Sequence, residues 1–251
     1  MPSNSLFSTV HHAGRSLAGL LLPGCCCLCA DEVIHYRAPD VLCPQCEQKR
    51  AEAKRCVRCS AVLSHENALP SEDCPACHHL KLPFAEITSV GNYEDRLREA
   101  VLSAKSNRGM SAAWDLGQLL TSSLEASATN RPCIVPVPMH WTRRLRRGTN
   151  TALILAQSFA RKTGWPVERL VVCRQAMAKQ SELPITARQK NVRNAFAVKD
   201  PISSDRPIVL VDDIMTTGAT LTELARVLRQ AGAAEIRVAV VARSTPQYLN
   251  V

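Results

Sequence analysis

The sequence predicts an α/β protein in which a doubly wound, mostly parallel sheet follows a small double zinc-ribbon domain. Two observations predict this fold class: strand-like and helix-like segments alternate through residues 84–246, and four Cys-x-x-Cys pairs lie within residues 23–80. The chain has 251 residues, of which 46% are apolar, which suffices for real cores and argues against disorder. No run of about 18 apolar residues occurs, so no membrane span is predicted.

Residues 1–22 are expected to form a separate N-terminal segment. We predict a short amphipathic helix over residues 10–22 that packs on the protein. A secretory or lipoprotein signal is the alternative, because an apolar run precedes Cys25. That run is short, Arg15 is its only basic residue, and Pro23 stands where a small residue would be needed. The cysteine pattern that follows favours a reducing compartment, so we expect a cytoplasmic protein.

The four cysteine pairs predict two structural zinc sites. Two-residue spacing lets both thiolates of one tight turn reach the same tetrahedral ion. The gaps between successive pairs are 13, 9 and 14 residues, and a long gap fits the hairpin within one site. The predicted ligands are therefore Cys26, Cys29, Cys43 and Cys46 for site one, and Cys56, Cys59, Cys74 and Cys77 for site two.

Alternatives to this zinc assignment remain open at this point. The pairs could interleave between the two sites, or the cysteines could form disulfides or hold an iron–sulfur cluster. Cys25 or Cys27 could replace Cys26, although only Cys26 has two-residue spacing from Cys29. Whatever the pairing, about 80 residues with few large apolar side chains need metal to fold, so the expected role of zinc is structural.

Hydrophobic periodicity predicts the elements of the α/β domain. The predicted strands cover residues 86–93, 132–137, 168–173, 195–198, 207–212 and 235–242. The predicted helices cover residues 95–105, 112–124, 151–162 and 219–230, and Gly232 stops the last of them. The apolar strand at 207–212 is of the kind buried on both faces, and the alternating strand at 235–242 is expected to close the sheet. Such sheets bind ligands beyond the carboxyl ends of their strands.

The segment after the central apolar strand carries the clearest chemical signal. Two adjacent acids, Asp212 and Asp213, end the strand, and a Thr/Gly loop then opens directly into a helix. The backbone N–H groups of such a loop and the helix N-terminus suit a phosphate, and adjacent carboxylates could accept hydrogen bonds from sugar hydroxyls. The loop consists of Thr216, Thr217, Gly218, Ala219 and Thr220. A capped helix after an acidic strand end is the structural alternative.

Basic residues are concentrated in one part of the chain, whose formal net charge is +9. Residues 140–200 hold 13 basic and 3 acidic side chains. This imbalance suits a phosphorylated partner, whether a small molecule or a nucleic acid. The candidate contacts to single-stranded nucleic acid are Arg143, Arg144, Arg146 and Arg147, with Trp141 as the aromatic placed to stack on a base. A solvated basic surface, and a Trp141 packed on its own domain, are the alternatives.

With these motifs in place, the chain resembles the competence protein F (ComF) family, which joins a double zinc ribbon to a type I phosphoribosyltransferase-like domain. The stretch Val-Asp-Asp-Ile-Met-Thr-Thr-Gly-Ala-Thr, residues 211–220, resembles the phosphoribosyl pyrophosphate (PRPP) motif of those transferases. Further matching residues are Pro136, Val137, Pro138, Met139, His140, Arg144, Arg146, Arg147, Gly148, Asn150, Gln180, Leu183, Arg188, Asn191, Arg193, Ala195 and Phe196.

The resemblance implies a role for each motif. Asp212 and Asp213 would hold the ribose hydroxyls, and residues 216–220 the 5′-phosphate. Pro136, Val137 and Pro138 would belong to the pyrophosphate loop. Arg188 and Arg193, from a segment that closes over the ligand, would neutralise the leaving pyrophosphate together with Mg²⁺.

The chain departs from the family pattern at two places. The family usually has Arg-Gly-Phe-Asn-Gln where this chain has Arg-Gly-Thr-Asn-Thr at residues 147–151. A Lys-Tyr pair often follows the first helix, but here Lys105 is followed by Ser106. Both departures fall on the pyrophosphate side, and the ribose-phosphate loop is intact.

The resemblance implies a role in DNA uptake and natural transformation, with PRPP and single-stranded DNA as ligands and DNA-uptake proteins as partners. One alternative is an active PRPP-dependent phosphoribosyltransferase, whose acceptor the sequence does not identify. The other is a non-catalytic regulatory or scaffold protein, since fold alone does not decide catalysis.

Overall fold

The computed structural model describes residues 24–33, 41–56, 58–63, 82–106, 108–123, 131–175, 191–202 and 206–244. These residues divide between Glu52 and Ala53 into two compact units. The predicted N-terminal helix, Cys74, Cys77 and Arg188 lie outside the described residues. The predicted domain boundaries therefore stay predictions.

The first unit is small. Strand β1 (Gly24–Cys25) pairs antiparallel with strand β2 (Glu32–Val33), and helix α1 (Pro44–Glu52) follows. The buried apolar residues that the structure describes in this unit include Val33 and Leu42 together with three cysteines. Thiols therefore replace much of the side-chain core that a larger domain would build from aliphatic residues.

The second unit contains a four-stranded parallel sheet in the order β3-β8-β7-β4. Its strands are β3 (Glu86–Asn92), β4 (Cys133–Pro136), β7 (Ile208–Met215) and β8 (Ile236–Arg243). Its helices are α2 (Asp95–Ala104), α3 (Met110–Ser122), α4 (Trp141–Arg147), α5 (Thr151–Thr163) and α6 (Ala219–Gln230). The prediction of a parallel sheet with intervening helices is confirmed.

Helices cover both faces of this sheet. Helix α6 packs Leu221, Leu224 and Leu228 against one face, in a cluster that includes Leu210 and Val238. Helices α2, α3 and α5 contact strands of the sheet and pack on one another, with α5 touching β4 and β7 and α3 touching β8. The sheet is therefore doubly wound, and its four parallel strands place their carboxyl ends along one edge.

Two features of the sheet differ from the prediction. Strand β8 does not close the sheet, because it lies between β3 and β7, and every residue from Val238 to Arg243 is buried. The predicted strands at 168–173 and 195–198 do not extend the parallel sheet, which the chain meets just before the first of them at an isolated parallel bridge between Ile134 and Val167. Instead β5 (Val171–Cys173) and β6 (Phe196–Val198) pair with each other as an antiparallel ribbon. Local alternation specifies a strand, whereas its neighbours depend on distant segments.

Two more differences concern residues near the candidate site. Strand β7 runs three residues beyond the predicted end, so that both Asp212 and Asp213 lie within it. Residues 141–147 form the unpredicted helix α4. His140 begins this helix with its ring Nδ1 accepting a 3.4 Å hydrogen bond from Thr142 N–H, and Gly148 ends it with φ 71°. His140 thus has a structural role as a helix cap.

The outer side of β3 is covered by the turn that carries Cys56 and Cys59. The backbone N–H of Ser89 donates to Ser60 Oγ at 2.9 Å, and Ser89 Oγ donates to the Ser60 carbonyl at 2.9 Å. Farther along, Val62 N–H donates to Asn92 Oδ1 at 3.2 Å. This segment protects an otherwise open sheet edge.

Candidate functional site

Four cysteines of the first unit come together as a cluster that could hold a metal ion. The sulfur atoms of Cys26, Cys29, Cys43 and Cys46 all lie within 4.8 Å of one another. Cys29 Sγ and Cys43 Sγ are 3.6 Å apart, close to the roughly 3.8 Å that a tetrahedral ion with 2.3 Å bonds to sulfur would impose. The donor set and its spacing fit zinc. The structure brings together the four cysteines predicted for site one and not an interleaved set, and their role as zinc ligands stays a prediction.

The environment of Cys26 favours the thiolate that a metal needs. Burial opposes ionisation, but hydrogen bonds from the backbone of Cys29, Cys43 and Leu28 outweigh it and lower the pKa of Cys26 to about 7. Cys25 is exposed and lies outside the four-sulfur cluster. Cys26, and not Cys25, therefore belongs to the four-sulfur cluster, as its spacing predicts.

The turn at Cys56 repeats the backbone geometry of the turn at Cys26. In each turn the first cysteine donates its N–H to the carbonyl five residues on, at 2.8 Å for Cys26 and 2.9 Å for Cys56. The residue after the second cysteine has a left-handed backbone in both, with φ 61° at Ala30 and 56° at Ser60. Because Cys56 and Cys59 have the knuckle conformation of a zinc half-site, they support the second predicted site. Its completion by Cys74 and Cys77 stays a prediction.

The acid pair lies in β7 at the carboxyl edge of the parallel sheet. Asp212 Oδ1 accepts a 2.8 Å hydrogen bond from the N–H of Asp213. Burial and the adjacent Asp213 charge raise the pKa of Asp212 to about 7, against the opposing charges of Lys105 and Arg143. A carboxyl group with this pKa can change its charge near neutral pH.

Asp213 is held by an ion pair that the sequence does not predict. Lys105, just after α2, places Nζ 3.2 Å from Asp213 Oδ2, and both side chains retain some exposure, 21% and 17%. A sugar hydroxyl can therefore reach Asp213 only by sharing it with Lys105. The family resemblance places Lys105 on the pyrophosphate side, but its partner Asp213 is more than 100 positions away in the chain, so no local signal predicts the ion pair.

The Thr/Gly loop leads directly from β7 into α6. Gly218 has φ 75°, and a Cβ there would lie 2.7 Å from Met215 Cε. The backbone of this turn thus requires glycine. Thr217 Oγ1 accepts a 3.4 Å hydrogen bond from Ala219 N–H, and Thr222 N–H donates to the Gly218 carbonyl. The N-terminal amides of the 12-residue helix α6 therefore begin a few residues after the acid pair.

The segment 136–138 lies beside the acid pair. Pro136 is paired in register with Val211, and Val137 N–H donates to the Val211 carbonyl at 2.9 Å. Asn150 Nδ2 donates to the Val137 carbonyl at 3.2 Å and ties the start of α5 to this segment. Adjacent parallel strands thus bring the acids and residues 136–138 to the same edge of the sheet.

Helix α4 presents two different faces. Arg143 and Arg147 are four residues apart and share one face. Burial and Arg143 lower the pKa of Arg147, while the Asp213 charge opposes that shift, so Arg147 lies within electrostatic range of the acid pair, as Arg143 does of Asp212. Trp141 and Arg144 lie on another face, where they help to line a cavity of about 260 Å³. Arg146 is exposed.

The described contacts of Arg193 lie at helix α6 and not at the acid pair. Its charge acts on Glu223 of α6, and the neighbouring Asn194 N–H donates to Glu223 Oε1 at 3.0 Å. Burial works against the Glu223 charge, but the stronger hydrogen bonds from Arg226 lower the pKa of Glu223. The described contacts thus place Arg193 by the second turn of α6, and its role toward a leaving group stays a prediction.

Among the residues that the structure describes, no helix is both long enough and apolar enough to span a membrane.

Comparison with known proteins identifies the family. A phosphoribosyl transferase domain model matches residues 145–250. DNA utilization protein YhgH of Salmonella typhi is 31% identical over 228 residues, which cover 87% of this chain and 96% of that protein. YhgH of Escherichia coli K12 is also 31% identical, over 231 residues with the same two shares. Competence protein F of Haemophilus influenzae is 29% identical over 82% of this chain and 92% of its own length. The chain therefore belongs to the competence protein F and YhgH family, with a phosphoribosyltransferase-type α/β domain and a cysteine cluster suited to zinc.

Proposed function

We propose that this protein binds PRPP with Mg²⁺ at the carboxyl edge of its sheet and single-stranded DNA along α4, and that it acts in DNA uptake or utilization. The observation that carries the proposal is the juxtaposition of three elements: the acid pair of β7, the glycine-hinged start of α6, and the Arg143–Arg147 face of α4. The names of the relatives, DNA utilization protein and competence protein F, support the DNA part.

Each element has a defined chemical task in this proposal. Asp212 and Asp213 accept hydrogen bonds from the ribose hydroxyls, and the backbone amides of residues 216–220 hold the 5′-phosphate. Arg143 and Arg147 compensate the negative charge that a pyrophosphate group brings to the acids. Mg²⁺, which prefers carboxylate and phosphate oxygens, would neutralise the pyrophosphate when bound. Asp212 and Asp213 supply carboxylate oxygens at this edge of the sheet, so the donor set fits Mg²⁺.

The DNA part is supported by charge. Helix α4 carries four arginines in seven residues, two of which face away from the acids, and the structure describes exposed Arg144 and Arg146 on it. Phosphates of a strand can contact these side chains while PRPP occupies the other face. The described cysteines form no disulfides, and four of them cluster as thiols suited to a metal, which fits the reducing cytoplasm where we expect the protein to work.

Isothermal titration of PRPP with Mg²⁺ tests the small-molecule part. We expect saturable binding by the wild type and no detectable heat from the variant with Asp212→Ala and Asp213→Ala. The matched control, Asp95→Ala with Asp200→Ala, removes two exposed carboxylates that lie outside the acid pair, and it should bind PRPP like the wild type. Absence of PRPP binding by the wild type, with zinc in place, would overturn this part of the proposal. Release of pyrophosphate on addition of nucleobases would instead show the active transferase.

A further inference from the structure

A cavity beside α4 is used neither by the acid pair nor by the loop at α6. It has a volume of about 260 Å³ and is formed by α4, the start of α5, strand β5 and Lys199 after β6. Three cations, Arg144, Arg169 and Lys199, line it, and no acidic residue is among the described residues of its lining. Cavities for drug-sized ligands are usually roughly 300–1,000 Å³, so this one suits a single small unit.

The walls of the cavity combine an aromatic ring with apolar side chains. Trp141 lines it and keeps 63% of its surface exposed, which is unusual for a tryptophan that merely packs on its own domain. Met139, Leu153 and Val171 supply apolar surface. A planar group can stack on the indole while anionic oxygens meet the cations, and this combination is the chemistry of a nucleotide.

The cavity lies close to the acid pair. Burial raises the pKa of Cys173, which lines the cavity, and the charge of Arg143 opposes that shift. The same Arg143 acts on Asp212. Pro136 lines the cavity and is paired in register with Val211, the neighbour of Asp212, so a ligand in the cavity would lie next to the acid pair.

We propose that this cavity binds one nucleotide unit, with its base against Trp141 and its phosphate among Arg144, Arg169 and Lys199. The proposal rests on the proposed function, because it gives the DNA strand one defined contact point. It adds Arg169 and Lys199, which come from the β5–β6 region and not from the basic helix. A nucleotide within a strand and a free nucleotide share this chemistry, and the experiment separates them.

Fluorescence anisotropy with an internally labelled hexathymidylate tests the cations. The double variant Arg169→Gln with Lys199→Gln should bind at least five-fold more weakly than the wild type. The matched control, Arg161→Gln with Lys162→Gln, removes two exposed charges from the end of α5, outside the cavity, and should stay within two-fold. Equal affinities for the two double variants would overturn the cavity proposal.

The aromatic wall is tested by the same titration and by cross-linking. Trp141→Ala should lower the affinity for the hexamer by about five-fold or more, the lower end of what stacking contributes. Leu145→Ala removes an exposed apolar side chain of the same helix that does not line the cavity, and it should leave the affinity unchanged. Hexathymidylate that contains 5-iododeoxyuridine should photo-cross-link to Trp141, as found by mass spectrometry of the peptides. Cross-links elsewhere only would overturn the proposal.

Thymidine monophosphate distinguishes the two sources of the ligand. Weaker binding of the monophosphate than of the hexamer assigns the cavity to a strand, and equal binding assigns it to a free nucleotide. The proposed function fails separately: it falls if PRPP does not bind, or if arginine substitutions along α4 leave hexamer affinity unchanged. Loss at the α4 arginines with no effect of Arg169 and Lys199 would refute the cavity alone.

Discussion

At the scale of single residues, the position of Asp212 lowers the stability of the folded protein when its carboxyl group is ionised. Its carboxyl group is desolvated beside another acid, which raises its pKa to about 7. The ordinary pKa of an aspartate is 3.8, so the unfolded chain ionises this group at much lower pH than the folded one. The folded chain therefore keeps a proton on Asp212 at pH values where the unfolded chain has released it. The folded state loses this contribution to its stability as the pH rises through 7. Such a cost is expected at a ligand site and not at a purely structural strand end.

Replacing Asp212 with Asn should make the protein more stable at pH 8. The amide keeps an oxygen for the Asp213 N–H but carries no charge to desolvate. At pH 8 we expect a gain on the order of a few kcal/mol in the free energy of unfolding, shrinking as the pH falls toward 4. Urea denaturation at both pH values measures it. Asp200→Asn, at an exposed position, is the control, and a pH-independent difference for Asp212→Asn would contradict the argument.

At the scale of elements, the start of α6 depends on one glycine. Gly218 has φ 75° and gives the turn out of β7 its geometry, next to the buried Met215. Gly164 ends α5 with nearly the same φ, 73°, but has nothing within 4 Å of its missing Cβ. The two positions therefore share the backbone strain that a side chain would meet, and they differ in their surroundings.

Alanine at Gly218 should lower both stability and PRPP binding, whereas alanine at Gly164 should lower stability alone, and by less. Left-handed strain costs both variants about 1–2 kcal/mol, and the contact with Met215 adds about 1 kcal/mol at Gly218. Thermal denaturation and PRPP titration of the two variants check this. If Gly164→Ala weakened PRPP binding as much as Gly218→Ala, the loop would not be the phosphate site.

At the scale of the whole molecule, we expect metal to supply folding energy to the part of the chain with little aliphatic core. Cys26, Cys29, Cys43 and Cys46 form one four-sulfur cluster, and Cys56 with Cys59 repeats the same turn. Thiolate ligands must be deprotonated and gathered, so metal binding and folding of these segments are coupled.

Elemental analysis of the purified protein should give about two zinc ions per chain. Cys26→Ser should remove one, because it breaks the first cluster, and Cys56→Ser should remove the other. Cys25→Ser changes the exposed neighbour of Cys26 and should keep both. Near-zero zinc in the wild type, or loss of zinc from Cys25→Ser, would refute the two-site assignment.

The sequence by itself determined those features whose chemistry is contiguous in the chain. The spacing of Cys26, Cys29, Cys43 and Cys46 predicted their cluster, and the apolar run before Asp212 predicted a buried strand leading to a phosphate-type loop. Both depend on interactions within a turn or along one strand, which periodicity and spacing report directly.

Only the tertiary structure decided which distant segments meet. It placed β8 inside the sheet, separated the β5–β6 ribbon from it, paired Lys105 with Asp213, and turned Arg143 toward the acids but Arg144 toward the cavity. Strand order and ion pairs depend on contacts between residues far apart in the chain, and a local pattern is compatible with several such arrangements. The free energy of packing the complete domain selects one of them.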